Sequence, residues 1–290
     1  MRGSIGDALC DTQRANGHAM PMGGISRVVE SRHPGYRKGD LVRGHEGLLD
    51  QAVCDGSGLI KLQARMDRSS LALGALGMPG FGAYLGLLDI GQPKAGETVV
   101  VAAASGAVGS MLGQIAKLKG CRVIGIAGGS DKCRFAVEEL GLDACIDRRV
   151  TDLAGQLPAA CPKGIDVYLE NTSGALFDAV LPLLGPQARV QHCGLIARYN
   201  DGGSSRDQER LGLLGRALLS KRIRIQGFII FADYGERRGE FFNPLSAWLK
   251  EGKVRFRKDL AGDLNDAPQA FVGLLEDRNF DKLVVRVAND

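Results

Sequence analysis

Residues 97–113 of the chain read ETVVVAAASGAVGSMLG, and this stretch decides which fold the sequence predicts. The β-branched run Thr98–Val101 predicts a buried strand, and the apolar residues that recur at helical spacing after the glycines predict a helix. Between the two lies an A-x-G-x-x-G pattern formed by Ala104, Gly106 and Gly109. A strand, a tight glycine turn and a helix N-terminus, in this order, can hold a pyrophosphate on backbone N–H groups. The stretch therefore predicts a dinucleotide-binding turn.

Predicted strands and helices alternate from this stretch onward. Such alternation is typical of a parallel, doubly wound α/β sheet, which is the fold class we predict. The predicted strands are Thr98–Ala103, Arg122–Ala127, Ala144–Asp147, Asp166–Glu170, Ala188–Cys193 and Ile223–Ile230. The predicted helices are Val108–Lys119, Asp131–Leu140, Thr151–Ala160, Ala175–Leu184, Gln208–Leu219 and Arg238–Lys250.

Shorter, β-rich segments flank this α/β region. Four short segments with a β-like pattern, separated by turn residues, predict a small β module before it, and they are Ile25–Glu30, Leu41–Val42, Asp50–Cys54 and Leu59–Leu62. The last predicted strand, Lys282–Val287, has no helix after it, so we expect it to rejoin that module. The glycine-rich, apolar segment Ser69–Ile90 predicts two helical pieces between the modules. The predicted domains are residues 1–77 with 252–290, and residues 78–251.

The composition is that of a globular protein of about two domains. Of the 290 residues, 44% are hydrophobic and 24% are charged, and the net charge of +4 is spread along the chain, which argues against a nucleic-acid partner. The uncharged segments contain prolines, glycines or the predicted turn, which argues against a membrane span. The seven cysteines form no CxxC pair, which favours a reducing, cytoplasmic location.

The second predicted strand ends in Gly128–Ser130, and the residues there decide between NAD and NADP. An NAD site places an acidic side chain about twenty residues beyond the glycine turn to bind the ribose hydroxyls. In this chain the two glycines leave room for a phosphate on the ribose, and Lys132 can balance its charge, with Arg148 as a second cation. These residues favour NADP. Two alternatives stay open: Lys132 is a solvated surface lysine, or Asp131 is an NAD-type acid displaced by a few residues.

Two further pairs of residues could carry chemistry. His45 and Glu46 are residue types that can bind a metal, but no cysteine or histidine lies near them at metal-ligand spacing, so we predict no metal site. Asn171 and Tyr199 follow predicted strands at the carboxyl edge of the sheet, where ligands bind in such folds. A tyrosine hydroxyl there can reach a substrate oxygen and protonate an enolate. The alternative, which is commoner on position alone, is a loop tyrosine that packs against its neighbours.

Several motifs, in their order along the chain, are similar to those of one family. They are Leu76-Gly-Met-Pro-Gly, Ala83-Tyr84, Ala103-Ala-Ser-Gly-Ala-Val-Gly-Ser, Gly113-Gln-Ile-Ala-Lys-Leu-Lys-Gly-Cys-Arg-Val-Ile-Gly-Ile-Ala-Gly-Gly, Lys132-Cys, Gly164-Ile-Asp-Val-Tyr, Glu170-Asn171, Cys193-Gly194, Tyr199-Asn200 and Gln226-Gly-Phe-Ile. From about Gly24 to the C-terminus, the sequence resembles the zinc-independent medium-chain reductases. The group it resembles contains the prostaglandin reductases, alkenal double-bond reductases and curcumin reductases.

The resemblance implies a GroES-like catalytic domain and a Rossmann domain, assembled as a homodimer. It implies NADPH as the hydride donor and α,β-unsaturated aldehydes or ketones as substrates, with hydride transfer to the β-carbon and protonation of the enolate near Tyr199. The cofactor-binding residues that it implies are Gly106, Ala107, Val108 and Gly109 at the pyrophosphate, Lys132 and Arg148 at the 2′-phosphate, and Asn171, Cys193, Gly194, Tyr199, Phe228, Ile229, Ile230 and Asn279 along the rest of the cofactor.

The chain departs from the family pattern in several places. The motif Met1–Gly3 normally lies well inside the catalytic domain, so the resemblance implies that the opening strands of that domain are missing. Their loss would leave unpaired strand backbone at the edge of the β module. Gly82 stands where the family has threonine, and Leu48 stands where it has tryptophan. Two alternatives to an enone reductase follow: a non-catalytic relative that binds NADPH, and a quinone reductase.

Overall fold

A computed structural model of the chain describes residues 20, 22–45, 47–62, 69–149, 152–195 and 207–287. The chain divides into two compact units. One unit is Pro79–Arg255, and the other combines Met1–Met78 with Phe256–Asp290.

The described residues form strands and helices that alternate through most of the chain. The strands are β1 (Gly24–Arg27), β2 (Leu41–Gly44), β3 (Ile60–Lys61), β4 (Thr98–Ala102), β5 (Arg122–Ala127), β6 (Ala144–Asp147), β7 (Ile165–Glu170), β8 (Leu184–His192), β9 (Arg224–Gly227), β10 (Lys258–Ala261) and β11 (Lys282–Val285). The α-helices are α1 (Met78–Leu85), α2 (Gly109–Leu118), α3 (Ser130–Glu138), α4 (Leu153–Ala160), α5 (Ala175–Val180), α6 (Asp207–Lys221), α7 (Ile230–Tyr234), α8 (Arg238–Lys250) and α9 (Ala267–Leu275). Between them lie short 3₁₀-helices at Ser69–Leu73, Leu181–Leu183, Gly235–Arg237 and Leu264–Asp266, and a π-helix at Gly86–Gly91.

Strands β4 to β9 form one six-stranded sheet in the unit Pro79–Arg255. The order is β6-β5-β4-β7-β8-β9, and every neighbouring pair is parallel. The order runs outward in both directions from β4 and β7, so a crevice opens between the carboxyl ends of these two central strands. The predicted fold class, a parallel doubly wound α/β sheet, is confirmed.

The central strand β4 is buried over its whole length. Val99–Ala102 expose no surface, because helices on both faces of a parallel sheet require apolar side chains on both sides of its strands. Two glycines near this strand let neighbouring segments of the unit approach each other closely. A Cβ on Gly125 of β5 would lie 2.8 Å from the Cβ of Ala104, and a Cβ on Gly113 of α2 would lie 3.2 Å from a methyl group of Leu142. The glycine turn after β4 therefore packs directly on β5.

The predicted strand Ile223–Ile230 is wrong in its second half. The strand β9 ends at Gly227, and helix α7 begins three residues later. The side chain of Asp233 accepts a hydrogen bond from the N–H of Ile229 at 2.7 Å, which satisfies the start of a helical turn. The continuous apolar run looked like a buried strand, but this local hydrogen bond ends it.

The predicted strand Asp50–Cys54 is also wrong. Its residues form no regular structure, and the side chains of Val53 and Cys54 are exposed. Just beyond it, the carboxylate of Asp55 accepts the N–H of Ser57 at 2.8 Å and forms a local turn. An alternating pattern gives a strand only where a neighbouring strand pairs with it, and this one has no such neighbour among the described residues.

The described residues of the other unit form two small sheets. Strands β1, β2 and β3 form an antiparallel sheet in that order, and β10 and β11 form a parallel pair. Ile25 of β1, Leu62, Leu73 and Val284 of β11 are buried in one apolar cluster. The last strand is therefore packed against the first one, although it is two residues shorter than the predicted Lys282–Val287. The assignment of this unit as a GroES-like domain stays a prediction.

Candidate cofactor site

The carboxyl ends of the six parallel strands meet at one edge of the unit Pro79–Arg255. Because parallel strands all end on the same side, this edge collects residues that are far apart in the sequence. In sheet order, Arg148 follows β6, Lys132 follows β5, the turn Gly106–Gly109 follows β4, Asn171 follows β7, Cys193 and Gly194 follow β8, and Phe228, Ile229 and Ile230 follow β9.

The glycine turn after β4 has a backbone that only small residues allow. Ala103 has a φ of 49°, and its carbonyl accepts the N–H of Gly106 at 2.9 Å. A Cβ on Gly109 would overlap that carbonyl oxygen and would lie 3.0 Å from its carbon. Gly109 is the first residue of α2, so the helix starts directly over the turn. The helix N-terminus and the half-buried backbone of Ala107 and Val108 form a cradle that fits a pyrophosphate.

A second turn, Gly128–Ser130, follows β5 and leads into α3. Gly129 has a φ of 102°, a conformation that favours glycine. One oxygen of the Asp147 carboxylate accepts the N–H of Gly129 at 2.8 Å and that of Arg149 at 2.9 Å. Burial alone would raise the pKa of Asp147, but these two donors outweigh it and hold the pKa below its ordinary value. The end of β6 thereby fixes the turn after β5.

The structure separates the two residues that we considered for the ribose. Lys132 lies in the first turn of α3 and is only 7% exposed. Asp131 is exposed, and its carboxylate forms an ion pair with Arg134 at 2.7 Å. The burial of Lys132 disfavours a solvated surface lysine, and the ion pair of Asp131 disfavours an NAD-type acid. The arrangement therefore fits a phosphate better than a ribose hydroxyl at this turn.

Arg149 belongs to the same turn and was missed by the sequence reasoning. Its Nη1 atom lies 3.2 Å from the position that a Cβ on Gly129 would occupy, so the guanidinium covers the turn. Arg148, the cation that we predicted, is exposed, and its N–H donates to the carbonyl of Ala127 at 2.8 Å. Two adjacent arginines were the signal in the sequence, but only the structure places the Arg149 guanidinium on Gly129.

Glu170, at the end of β7, is a second residue that the sequence reasoning missed. It is fully buried, and one carboxylate oxygen accepts the N–H of Thr172 at 2.6 Å and that of Ser173 at 2.7 Å. The other oxygen accepts the hydroxyl of Tyr168 at 3.3 Å. Burial, and then the charge of Glu170, raise the pKa of Tyr168 well above its ordinary value, so the hydroxyl keeps its proton and donates. Glu170 thereby fixes the turn that begins at Asn171.

The segment that follows β8 is hydrogen-bonded to the end of β7. The N–H of Cys193 donates to the carbonyl of Glu170 at 2.8 Å, and both Cys193 and Gly194 are half-buried. This hydrogen bond continues the pairing of β8 with β7 one residue beyond the strand. Cys193, Gly194 and Asn171 therefore leave the sheet side by side, on the opposite side of the crevice from the two glycine turns.

The end of β9 carries the last described candidates. The Phe228 ring packs against the helical segment before β4, because a Cβ on Gly86 would lie 3.0 Å from it and one on Gly82 would lie 4.0 Å away. Ile229 is exposed and Ile230 is buried at the start of α7. The family has threonine at the position of Gly82. The Cβ of a threonine there would lie in van der Waals contact with the Phe228 ring.

Two predicted residues are not placed at this edge. Tyr199 and the loop 200–206 lie outside the described residues, so the role of Tyr199 stays a prediction. Asn279 belongs to the other unit, where its side-chain amide donates to the carbonyl of Asp281 at 2.8 Å. Among the described residues, which include His45 but not Glu46, no group of three or more His, Cys, Asp or Glu side chains could hold a metal.

The sheet order and the glycine turn at its crevice define the class of this unit, a Rossmann-type dinucleotide-binding domain. Comparison with known proteins narrows the class. A family model described as zinc-binding dehydrogenase matches residues 107–251. The chain is 52% identical to the NADPH-dependent curcumin reductase of Escherichia coli strain K12, over 100% of this chain and 84% of that protein.

Two further comparisons agree. Prostaglandin reductase 1 of Mus musculus is 38% identical over 90% of this chain and 79% of that protein. CurA from Vibrio vulnificus, whose crystal structure in complex with NADPH is known, has 48% sequence identity to this chain. The two structures superpose with a TM-score of 0.94 over 100% of this chain and 88% of that chain. The chain belongs to the medium-chain dehydrogenase/reductase family of oxidoreductases, in the group of curcumin, prostaglandin and 2-alkenal reductases.

The predicted resemblance is therefore confirmed. The predicted cofactor, NADPH, agrees with the name of the E. coli relative and with the complex solved for the V. vulnificus protein. Over the described part of the chain, every helix is too short or too polar to cross a membrane. The homodimer and the cytoplasmic location stay predictions.

Proposed function

We propose that the chain is an NADPH-dependent reductase of the carbon–carbon double bond in α,β-unsaturated aldehydes and ketones. The observation that carries the cofactor choice is the burial of Lys132 at a turn that Arg149 covers. Two cations at this turn match the 2′-phosphate that distinguishes NADPH from NADH. The substrate class is supported by the names of the relatives and by the motifs that the chain shares with their group.

Each part of the carboxyl edge has its own task in binding NADPH. The turn Gly106–Gly109 holds the pyrophosphate on the N–H groups at the start of α2. Lys132 and Arg149 neutralise the 2′-phosphate, and Asp147 keeps their turn in place through the N–H of Gly129. The turn after β7, fixed by Glu170, lies beyond the crevice and receives the nicotinamide half. The cofactor thereby lies across the crevice with its two ends on different strands.

NADPH, when bound, supplies a hydride to the β-carbon of the substrate. The tasks of the protein are to hold the two reactants together and to give a proton to the enolate that results. Tyr199 is the residue that we propose for the enolate oxygen, since it follows the end of β8 by a few positions. A phenol hydroxyl can hydrogen-bond to a developing enolate and transfer its proton.

The products of 2-nonenal reduction test this reaction. With NADPH and the purified chain, reduction of the double bond gives nonanal, whereas reduction of the carbonyl gives the allylic alcohol. Deuterium from C4-labelled NADPH is expected at the β-carbon of nonanal. The allylic alcohol as the sole product would contradict the proposal. Saturable NADPH binding with no turnover of any enal or enone would favour the non-catalytic alternative, and turnover of quinones alone would favour a quinone reductase.

Replacement of Tyr199 by phenylalanine tests the proton donor. We expect Tyr199→Phe to lower kcat by a factor of about 100 and to leave the Kd of NADPH unchanged, because only the hydroxyl is removed. Tyr84→Phe is the matched control. Tyr84 lies in α1, and its ring centre is 6.1 Å from that of Trp248 in α8. An unchanged kcat for Tyr199→Phe would remove Tyr199 from the proposed mechanism without affecting the proposed reaction.

A further inference from the structure

A cavity of about 540 Å³ lies between helices α5 and α6, against the six-stranded sheet. Ile225 of β9 and His192 at the end of β8 form its floor. Phe177 of α5 and Leu181 line one wall, and side chains of α6 line the other. A mostly apolar cavity of this size falls in the range of about 300–1,000 Å³ that is typical of small-molecule sites.

The cavity is separate from the proposed cofactor site. Successive residues of a strand point to opposite faces of a sheet. A Cβ on Gly91 would overlap the amide nitrogen of Gln191 on β8, so this side chain lies on the face of the helical segment before β4. His192, the next residue, therefore points to the opposite face, toward α5 and α6. None of the described residues that we predict to bind the cofactor lines the cavity on that face.

The start of α6 leaves part of its apolar stripe uncovered. Leu211, Leu214 and Leu218 recur at helical spacing, which is the pattern of a helix face that packs on a core. Leu214 and Leu218 do pack against the apolar cluster that contains Val190 of β8. Leu211 is 70% exposed, and Leu213 beside it is 61% exposed, although both line the cavity. An apolar ligand in the cavity would bury these two leucines.

The charged groups on the walls favour a ligand with one negative charge. Arg216 is exposed, and its guanidinium forms no ion pair with the described residues. The ammonium group of Lys221 donates to the carbonyls of Pro182 at 2.6 Å and Leu184 at 2.9 Å, which holds a second cation on the wall. Asp178 is the one carboxylate among the described lining residues. Two cations therefore face one carboxylate, and Arg216 is available to an anion.

We propose that this cavity binds a small amphipathic carboxylate, an apolar chain with one carboxylate group, such as a medium-chain fatty acid. The chain lies between Phe177 and Leu211, where burial of apolar surface supplies most of the binding free energy. The carboxylate binds the guanidinium of Arg216 through charge-assisted hydrogen bonds, which orient the ligand. The protein thereby has a second ligand site in addition to the proposed cofactor site.

Calorimetry of the full chain with decanoate, below the concentration at which decanoate forms micelles, tests the apolar wall. We expect one decanoate per chain. Leu211→Asp removes apolar surface and adds a negative charge, so it should raise the Kd of decanoate by a factor of about 10. Leu219→Asp is the matched control, because Leu219 is 84% exposed on the same helix and does not line the cavity. An equal Kd for the wild type and Leu211→Asp would overturn the proposal.

A ligand without the carboxylate tests the charge. The wild type should bind decanoate about five times more tightly than 1-decanol, because the alcohol forms no charge-assisted hydrogen bond with Arg216. Arg216→Ala should bind the two ligands with nearly equal Kd. A preference for decanoate that persists in Arg216→Ala would contradict the place that we give to the carboxylate.

Two further outcomes separate this site from other uses of the cavity. Saturating NADPH should change the Kd of decanoate by less than a factor of about 2, and displacement of decanoate by NADPH would show that the cavity belongs to the cofactor site. If decanoate does not bind, and sedimentation velocity shows that Leu211→Asp separates a dimer into monomers, a second copy of the chain covers the cavity and the proposal is wrong. Decanoate binding is measured without turnover, so failure of the proposed reaction would leave this result unaffected.

Discussion

Two turns at the carboxyl edge are fixed by the same device in different surroundings. After β5, Asp147 accepts two backbone N–H groups through one oxygen, and after β7, Glu170 does the same. Asp147 is half-buried, and the guanidinium of Arg149 covers its turn. Glu170 is fully buried, and its other oxygen binds the neutral hydroxyl of Tyr168.

This difference indicates two roles for one arrangement. A fully buried carboxylate is stable only while its hydrogen bonds offset the loss of hydration, so Glu170 and its turn depend strongly on each other. A half-buried carboxylate keeps part of its hydration, so Asp147 orients its turn at a smaller energetic cost. We therefore infer that the turn after β7 is a rigid floor for the cofactor, and that the turn after β5 is the adjustable subsite that selects its phosphate.

The largest expected effect is on stability, at Glu170. Glu170→Ala removes the acceptor of the N–H groups of Thr172, which is buried, and Ser173, which is half-buried, so we expect a loss of about 3 kcal/mol in the free energy of unfolding. Asp147→Ala should cost only about 1 kcal/mol, because water can reach its turn. Urea unfolding of both variants measures the difference. Equal losses would contradict the contrast between the two turns, and Glu170→Gln, which keeps an acceptor oxygen, should recover part of the stability.

The next effect concerns the glycine turn that lies between these two turns in the sheet. A Cβ in Gly109→Ala would overlap the carbonyl oxygen of Ala103, so we expect a loss of about 2 kcal/mol in stability and weaker NADPH binding. Gly215→Ala in α6 is the control, since its Cβ would meet no atom within 4 Å among the described residues. Thermal unfolding and calorimetry measure both. Unchanged NADPH binding by a folded Gly109→Ala would place the pyrophosphate elsewhere.

A smaller and more selective effect is expected at Lys132. Lys132→Ala removes a buried cation from the turn after β5, so we expect the Kd of NADPH to rise by a factor of about 10, or ~1.4 kcal/mol. The Kd of NADH should stay nearly the same. Arg134→Ala, which removes an exposed cation on the same helix, should affect neither cofactor. Equal losses for both cofactors would show that the turn does not select the phosphate.

The fold could be predicted from the sequence because its strongest signals are local. Strand β5 has the predicted bounds, Arg122–Ala127, and helix α8 has the predicted bounds, Arg238–Lys250. A strand buried on both faces is a continuous apolar run, which glycines and charges delimit on either side. The strand predicted to continue to Ile230 was wrong because a hydrogen bond that the pattern does not show, from the N–H of Ile229 to Asp233, begins a helical turn there.

The site could be predicted only in part. The positions at strand ends followed from the parallel sheet, which is why Gly106, Lys132 and Asn171 lie along one edge. The contacts between elements could not be predicted, because they depend on the register of side chains from different strands and helices. The carboxylate of Asp147 accepts the N–H of Gly129, 18 residues earlier in the sequence, and no local sequence pattern predicts that contact. Glu170 could have been predicted as a residue that organises the site, because it ends an apolar strand and a buried carboxylate requires hydrogen-bond donors.

The smallest expected effect is a dependence of stability on pH at Asp147. Its folded pKa lies below the ordinary value of 3.8, so in acid the unfolded chain takes up this proton first. The stability that its hydrogen bonds provide is complete above that value and is lost as the pH falls through the folded pKa. Between about pH 6 and pH 3, we expect Asp147→Asn to lose about 0.5 kcal/mol less than the wild type, a small value because solvent reaches the carboxylate. Urea unfolding at both pH values measures this difference. If the two proteins lose the same stability in acid, the carboxylate does not hold the turn in its charged form, and the adjustable subsite loses its physical basis.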